Sequence, residues 1–443
     1  MSLIINTISA VGNNNSIYPL LLRDCGIEAS AKVVQTYNQN AKESKRMAIH
    51  ATRERVIDEY GTSAIWFGGV PAVEYLINKQ IKKAGFNPKV NIKLFKGDKN
   101  QNIDTNIQKF KDLAPEAVED LVKAKNNKLK YSKLVSNKFI AAIAAPILAM
   151  GFILPKANYA LTKYLIDKDI KSGKLANPNK QNTPQMQQTK SQNSNVSFEA
   201  LNSMKKSKQV NFKGFASALS GMTHVEKMAI TDGGLTAGRV ATSRGRNERI
   251  ESGFRMGGMM FLNYVAPKYI DKGINKLTKS IFGITTSLDP KIMADKRFLA
   301  TVKANKLNLP KDENEVIDFL DKNPKSMLAK YSQKNGTVKY LENGIRDPRA
   351  FVDTKKVMSL ADGMKEFAQD AIKSNSKISK YAKTAIAAKS LGIVANVALS
   401  STLLAVALPQ AQFGLRKLIS GSKVDPGLIN TNKKESNQLN ANA

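Results

Sequence analysis

The feature that most constrains this chain is a long, largely uncharged apolar run that occurs twice. The first copy, from Phe139 to Ile166, and the second, from Val394 to Ser420, align without a gap. Each run ends at Leu-Pro and passes into a basic amphipathic pattern, and a run of this kind has to lie in a membrane or in a buried core. The identical positions are Leu154 with Leu408, Pro155 with Pro409, Ala157 with Ala411, Leu161 with Leu415, and Lys163 with Lys417.

A second pair of segments repeats in the same order, upstream of the two runs. Two blocks repeated in one order predict an internal duplication of the chain. The sequence has no fixed period of 20 to 50 residues, so it does not predict a solenoid. The aligned positions are Arg55 with Arg244, Glu59 with Glu248, Gly68 with Gly257, Gly69 with Gly258, and Tyr75 with Tyr264.

Length and charge set the broad class of protein. The chain has 443 residues, enough for two or three domains, and a formal net charge of +33. This charge indicates an anionic partner: nucleic acid, a lipid surface or an acidic protein. The alternative is a general bias toward Lys, which is mixed with Asn throughout. The single cysteine, Cys25, excludes an intramolecular disulfide, and the first 16 residues lack the pattern of a secretory signal.

The pattern along the chain predicts an all-α protein of two tandem helical units, since sustained period-two alternation is almost absent. Each unit has one long apolar helix, a candidate transmembrane segment, together with basic amphipathic helices. The segment from 172 to 213 is rich in Gln, Asn, Ser and Thr and predicts disorder. The predicted organisation is a loose leader at 1–16, helical repeat 1 at 17–171, a disordered linker at 172–213, helical repeat 2 at 214–420 with an insertion at about 289–350, and a disordered tail at 421–443.

The two apolar runs have two competing interpretations. Strong apolar side chains between Phe139 and Leu154 sum to roughly −2.5 to −5 kcal/mol on an insertion scale, reduced by Pro146 and Gly151. Lys156 then has to lie near a membrane interface, because a charge at the centre costs about 3 kcal/mol. The alternative is that both runs are central helices of a soluble core, which are also apolar on every side. The composition favours a membrane span or a membrane hairpin. The residues that mark the two membrane or core segments are Phe139, Leu154, Pro155, Val394, Leu408 and Pro409.

Signs of catalysis or metal binding are weak. The two histidines, His50 and His224, do not match between the copies, and Cys25 has no histidine nearby in sequence. Motifs such as CxxC, HExxH, the Walker loop and GxSxG are absent from the sequence. The glycine-rich stretch from Asp232 to Gly238 is not a dinucleotide fingerprint, and we interpret it as tight helix packing. The sequence therefore predicts a protein that is not an enzyme, with no catalytic residues, no cofactor and no metal.

One group of arginines stands out, because Arg is scarce elsewhere in the chain. Arg forks bind phosphate and carboxylate in a bidentate manner, so the group is a candidate contact for anionic headgroups or phosphate. A structural role is the alternative: Arg244 and Glu248, like Arg55 and Glu59, are four residues apart and predict salt bridges on a helix. The candidate contacts are Arg239, Arg244, Arg246, Arg249 and Arg255.

These observations lead to a hypothesis of function. The sequence predicts a non-enzymatic, membrane-associated helical protein with a scaffold or interaction role at an anionic membrane face. The expected location is the cell membrane, with most of the chain on the cytoplasmic side. Anionic lipid is the expected partner, self-association between repeats is a further option, and nucleic acid is less favoured because aromatic interleaving is poor. The alternative is a soluble basic helical protein that binds nucleic acid or an acidic protein partner.

Overall fold

The computed structural model describes residues 3–12, 17–42, 44–97, 100–175, 224–284, 286–374 and 377–421. Within these residues the protein is all-helical, as predicted, and the one β-bridge joins Tyr340 to Arg346. Most of the predicted linker and of the predicted tail lies outside the described residues. The stretch expected to be a loose leader contains a helix, α1 (Leu3–Gly12), whose buried Ser9 donates a hydrogen bond to Asp289 while Leu3 and Ile4 are exposed.

Six long helices form the main body of the described chain. We number them with the shorter helices in chain order: α2 (residues 18–41), α3 (residues 45–83), α6 (Lys128–Lys171), α7 (His224–Thr242), α8 (residues 246–282) and α14 (Ile378–Ser420). The start of α3 shows how the sequence sets these bounds. Ser44 is extended, and its side chain accepts a hydrogen bond from the Met47 amide, which satisfies one of the free N–H groups of the first turn.

Four of the six long helices contain a five-residue π-helical turn that ends two residues before a proline. Proline has no N–H, and its ring collides with the carbonyl four residues earlier in an α-helix. A widened turn at that point lets the helix continue past the ring. The pairs are Ile65–Gly69 with Pro71 in α3, Ala149–Ile153 with Pro155 in α6, Phe261–Val265 with Pro267 in α8, and Leu403–Ala407 with Pro409 in α14.

The six helices divide into two halves with the same packing. Helices α2 and α3 form a hairpin, and α3 packs along α6; α7 and α8 form a hairpin, and α8 packs along α14. The first helix of each half crosses to the last helix of the other half. The Gly238 backbone of α7 contacts Gly151 of α6, and Gln35 of α2 donates a hydrogen bond to the Ala405 carbonyl of α14 at 2.6 Å. Positions 151 and 405 are paired in the gapless alignment of the two apolar runs.

The structure relates α3 to α8 in a different register from the sequence alignment. Gly61 lies against the Leu154 side chain, and Gly258 lies against the Leu408 side chain, so these two glycines occupy equivalent places. The sequence alignment paired Gly258 with Gly69 instead, a difference of about eight residues. Eight residues are close to two helical turns, so the alternative register keeps the same helix face and the same apolar pattern.

Two smaller helical segments lie at one end of the bundle. The first follows α3 and contains a 3₁₀ turn (Ile92–Phe95), α4 (Ile103–Phe110) and α5 (Pro115–Asn126). The second follows α8 and contains the predicted insertion; its helices are α9 (Pro290–Met293), α10 (Lys296–Lys303), α11 (Val316–Lys322), α12 (Met327–Lys334) and α13 (Thr354–Lys373).

Each small segment has its own apolar core, and the two cores are joined by polar contacts. Tyr131 is buried in the first core and Tyr381 in the second, at the Lys-Tyr motifs that precede the apolar runs. Gln101 donates a hydrogen bond to the Val352 carbonyl at 2.9 Å, and Asn106 donates to the Pro348 carbonyl at 2.9 Å. Because these contacts join the segments directly, both segments lie at the same end of the bundle.

Candidate functional site

The outer surface of the bundle has a belt without exposed charge. On every long helix, the exposed residues between two flanking charged positions are apolar or uncharged. The shortest interval is about 27 Å long at 1.5 Å per residue, close to the hydrocarbon thickness of a bilayer. The intervals without an exposed charge are 17–41 in α2, 47–78 in α3, 134–155 in α6, 227–245 in α7, 250–267 in α8 and 384–416 in α14.

Contacts between the helices show that these intervals lie at one level. Gly258 meets Leu408, and Gly61 meets Leu154, inside the intervals of all four helices concerned. The contact between Gly238 of α7 and α6 lies within them as well. Gln35 of α2 meets Ala405 of α14 within their intervals too, so the six intervals overlap in level around the bundle.

The interior enclosed by this belt is charged. In soluble proteins Lys, Arg, Asp and Glu are almost never fully buried unless they are paired. Here ionisable side chains from four of the long helices are buried in the bundle interior, opposite to the usual distribution. The buried charged residues at or near the level of the belt are Arg23, Glu28, Lys32, Arg239, Glu248, Glu251, Arg255 and Arg416.

A bidentate buried ion pair joins α8 to α14. Arg416 is 2% exposed, and its Nε lies 3.0 Å from Glu251 Oε2, while Nη2 lies 2.6 Å from Oε1. Gln412, one turn earlier on α14, donates a further hydrogen bond to the same carboxylate at 2.5 Å. A bidentate Arg–carboxylate pair of this geometry holds the two helices in a fixed register.

Between the two halves, the charges surround two small adjoining cavities of about 70 and 50 Å³, which share Asp58, Arg239 and Arg255. Arg239 of α7 donates to the Asp58 carboxylate of α3 and, at 2.8 Å, to the Thr62 hydroxyl. Arg255 of α8 is 7% exposed and lies 3.7 Å from Asp58 and 4.0 Å from Glu59. These distances are those of long ion pairs, and each cavity has room for water.

Two further carboxylates line the larger cavity and are held by neutral donors. Asn263 donates a hydrogen bond to Asp24 at 2.9 Å, and Trp66 donates to Asp232 at 3.3 Å. The Tyr264 hydroxyl also donates to Asp232. These groups come from α2, α3, α7 and α8, so the cavity is built by both halves of the chain. Apolar side chains, among them Trp66 and Met256, complete its lining.

The structure places the five predicted arginines in two different settings. Arg239, Arg244 and Arg255 face carboxylates inside the protein. Arg244 lies 2.9 Å from Glu248, as the spacing predicted, and 2.8 Å from Glu54. The other two, Arg246 and Arg249, are exposed at the start of α8, outside the uncharged belt.

The two predicted apolar segments lie at the surface of the bundle. Both α6 and α14 are long and apolar enough to cross a membrane, and only 28% and 44% of their most apolar windows are buried inside the structure. A core helix would be mostly buried. Of the residues predicted to define these segments, Pro155, Leu408 and Pro409 are buried, Phe139 and Leu154 are half-buried, and Val394 is exposed.

His50 and Cys25 both have structural partners. His50 shares a hydrogen bond with Asp169 at 2.8 Å, and Arg46 binds the other carboxylate oxygen at 2.8 Å. The Cys25 thiol donates to the Ser63 hydroxyl at 3.2 Å. Across the described ranges, no group of three or more His, Cys, Asp or Glu side chains is arranged to hold a metal ion.

Comparison with known proteins adds no further information: no family model, no curated protein and no solved structure matches the chain. The sequence predicted the apolar segments and two interior pairs, Arg244–Glu248 and Arg55–Glu59, the second of which lies at 3.5 Å. It missed the charged interior as a whole. The signal was present in α3, where Glu54, Arg55, Asp58 and Glu59 recur on one helical face, but such a face is normally solvated.

Proposed function

We propose that the protein is a non-enzymatic, membrane-associated helical protein with a scaffold or interaction role at an anionic membrane face. The observation that carries this proposal is the uncharged belt around a charged interior. An apolar band exposed on six helices is stabilised when hydrocarbon replaces water around it. Its height is close to that of a bilayer core.

The ends of the belt suit an anionic membrane surface. Lys383 and Lys417 flank the interval of α14, and Lys133 and Lys156 flank that of α6. Long lysine side chains at such positions extend toward the headgroups, and each contributes about 1 kcal/mol near an anionic leaflet. The localisation that follows is the cell membrane, with the two lysine-rich small segments on the cytoplasmic side.

The two halves support an origin by duplication, which forms part of the proposal. The same four features recur in each half: a hairpin, a π-helical turn before proline, a Gly–Leu contact and a crossing to the other half. Gly61 with Leu154 and Gly258 with Leu408 are the matched contacts. Such a repeat places the charged cavities at the interface between the two copies.

The direction of the helices favours a second candidate. Lys227 of α7 lies over the Phe139 ring of α6, and Gly238 lies beside Gly151, so α6 and α7 run parallel. Residue 171 and residue 224 therefore lie at opposite ends of the bundle, roughly 50 Å apart by helical rise. The longest uncharged run between them, 214–225, is shorter than a membrane span. The parallel direction of α6 and α7, joined by a segment without a membrane span, favours a soluble basic protein. Other protein chains, among them acidic partners, would then cover the belt.

Alkaline carbonate washing of membranes from cells that express the full chain separates the candidates. Retention in the membrane supports lipid around the belt. Release into the soluble fraction overturns membrane integration, and light scattering of the released protein then shows whether chains cover each other's belts.

A matched pair of variants tests the belt itself. Leu399 is 48% exposed in the middle of the α14 interval, and Leu418 is 85% exposed just beyond it. We expect Leu399→Lys to weaken retention, because a lysine at the bilayer centre costs about 3 kcal/mol. Leu418→Lys should leave retention unchanged. Equal effects of the two substitutions would contradict lipid contact along the belt.

A further inference from the structure

Four cavities follow one another through the bundle, and we call them the cavity series. The first is a wide cleft of about 1170 Å³ between the small segments and the bundle, and Asp271 of α8 lies on its wall. The second, of about 10 Å³, shares Asp271 with the cleft and is also lined by Arg23 of α2. Asp24, the next residue of α2, lines the third cavity, which is the 70 Å³ cavity described above. The 50 Å³ cavity adjoins it and is the fourth.

The cavity series extends from one edge of the uncharged belt to the other. Helix α8 gives its length, because Asp271 lines the first two cavities and Glu248 lines the fourth. The helical rise between these two residues is roughly 35 Å at 1.5 Å per residue, more than a hydrocarbon core of about 30 Å. The wide cleft lies at one end, and Glu54, which lines the fourth cavity at the other end, is half-buried. The series therefore approaches solvent on both sides of the belt.

The three inner cavities suit water and protons better than larger solutes. Cavities of this size hold from one to several water molecules, and an ion with its full hydration shell does not fit the narrowest of them. Arg239 and Arg255 line both larger inner cavities, and among the described residues their buried Nε atoms have no hydrogen-bond partner. A water molecule in each cavity would satisfy these donors. Ionisable groups at membrane depth are typical of proton relays.

Two carboxylates of the third cavity are suited to bind a proton. The donors to Asp24 and Asp232 described above are neutral side chains, whereas Asp271 pairs with Lys389 at 3.1 Å. Protonation of Asp24 or Asp232 therefore does not have to separate a carboxylate from a cation that holds it. The other charged or titratable groups around them are Arg23, Cys25, Glu28 and Lys32 of α2, Asp58 and Glu59 of α3, Arg239 of α7, and Arg255 and Tyr264 of α8.

We propose that the cavity series is a proton pathway across the membrane and that Asp24 and Asp232 carry the proton within it. The proposal rests on the proposed membrane association and adds an activity to it. A proton from water on the side of the cleft binds a carboxylate oxygen, which forms an O–H bond and neutralises the carboxylate. Release of that proton to water on the side of the fourth cavity restores the carboxylate. The net change is the transfer of one proton down its electrochemical gradient.

Proton flux into vesicles tests the pathway. The purified full chain is reconstituted into vesicles of phosphatidylcholine and phosphatidylglycerol that enclose a pH-sensitive dye. A potassium gradient with valinomycin drives protons inward, and flotation after a carbonate wash measures how much of the chain is inserted. The variants are Asp24→Asn and Asp232→Asn. The control is Glu74→Gln, which neutralises a half-buried carboxylate in the belt interval of α3, outside the four cavities.

We expect the parent and Glu74→Gln to acidify the vesicles faster than protein-free vesicles do. At least one aspartate variant should lose this difference while it floats with the vesicles as the parent does. Each aspartate variant is a separate test, so a variant that fails to insert leaves the other to decide.

Three results would overturn the pathway. Inserted aspartate variants that conduct like the parent remove the two carriers, and inserted parent protein without flux above protein-free vesicles removes the activity while the membrane association stands. A parent chain that does not float with the vesicles overturns the membrane association and the pathway together.

Discussion

The close crossing of α6 and α7 at two glycines allows a sharp test of the packing between the two halves. Gly238 is buried in α7, directly against α6. A Cβ atom at Gly238 would lie 2.9 Å from Gly151 Cα, 3.1 Å from the Gly151 carbonyl carbon and 2.9 Å from a Phe152 ring carbon. Two of these atoms are backbone, so Gly238→Ala forces the helices apart.

The expected change in the free energy of unfolding for Gly238→Ala follows from two opposing effects. Replacing glycine by alanine inside a helix stabilises it by about 1 kcal/mol. Overpacking a close contact destabilises a protein by about 1–3 kcal/mol. Gly257 provides the matched control, because it lies inside α8 and a Cβ there meets nothing within 4 Å. We therefore expect Gly257→Ala to gain the helix effect alone and Gly238→Ala to be less stable than Gly257→Ala by about 1–3 kcal/mol.

The assay is denaturant unfolding followed by circular dichroism, with all variants in the same neutral detergent. The difference between the two variants cancels the helix effect and isolates the contact between α6 and α7. Gly151→Ala should fall between them, since its Cβ would lie 3.4 Å from Gly238 Cα. If Gly238→Ala is as stable as Gly257→Ala, the two halves do not cross at these residues and the described bundle is wrong.

Two further predictions concern buried and titrating charges. Arg416→Met leaves the Glu251 carboxylate buried without its partner; we expect a loss of about 3–5 kcal/mol in denaturant unfolding, largely restored by adding Glu251→Leu. Burial favours the neutral form of Asp295, but hydrogen bonds from Lys330 and Tyr331 outweigh it and lower its pKa to about 2. Its stabilising effect is therefore present above about pH 4 and lost as the pH falls through about 2, so Asp295→Asn should be destabilised at neutral pH and match the parent near pH 2 in pH-dependent unfolding.

Periodicity and local signals predicted much of the helical content. The amphipathic pattern from Phe351 to Lys373 corresponds to α13, whose buried residues include Val357, Met364 and Phe367. The Leu-Pro sites of the two apolar runs lie in equivalent places of α6 and α14. These features depend on residues close together in sequence, which is why the sequence alone reveals them.

The charged interior was not predicted, because it depends on which helix each polar face meets. The pattern of α2, with Arg23, Glu28 and Lys32 between apolar residues, reads as an amphipathic helix in water. In the structure the apolar face points outward, and these three residues are buried. The amphipathic period is the same whether the apolar face points into the bundle or out of it. The period therefore predicts that the segment is helical but not which face is buried.

The charged interior also limits how the bundle could assemble under the proposed membrane association. Helix α2 alone carries Arg23, Asp24, Glu28 and Lys32, and at about 2.5–3.5 kcal/mol per charge it would not enter a bilayer by itself. Lys32 faces Glu28 on α2 and lies 3.7 Å from Glu59 of α3, so the hairpin offsets part of this cost only after its helices have paired. Under the proposed membrane association, pairing therefore has to precede burial in lipid.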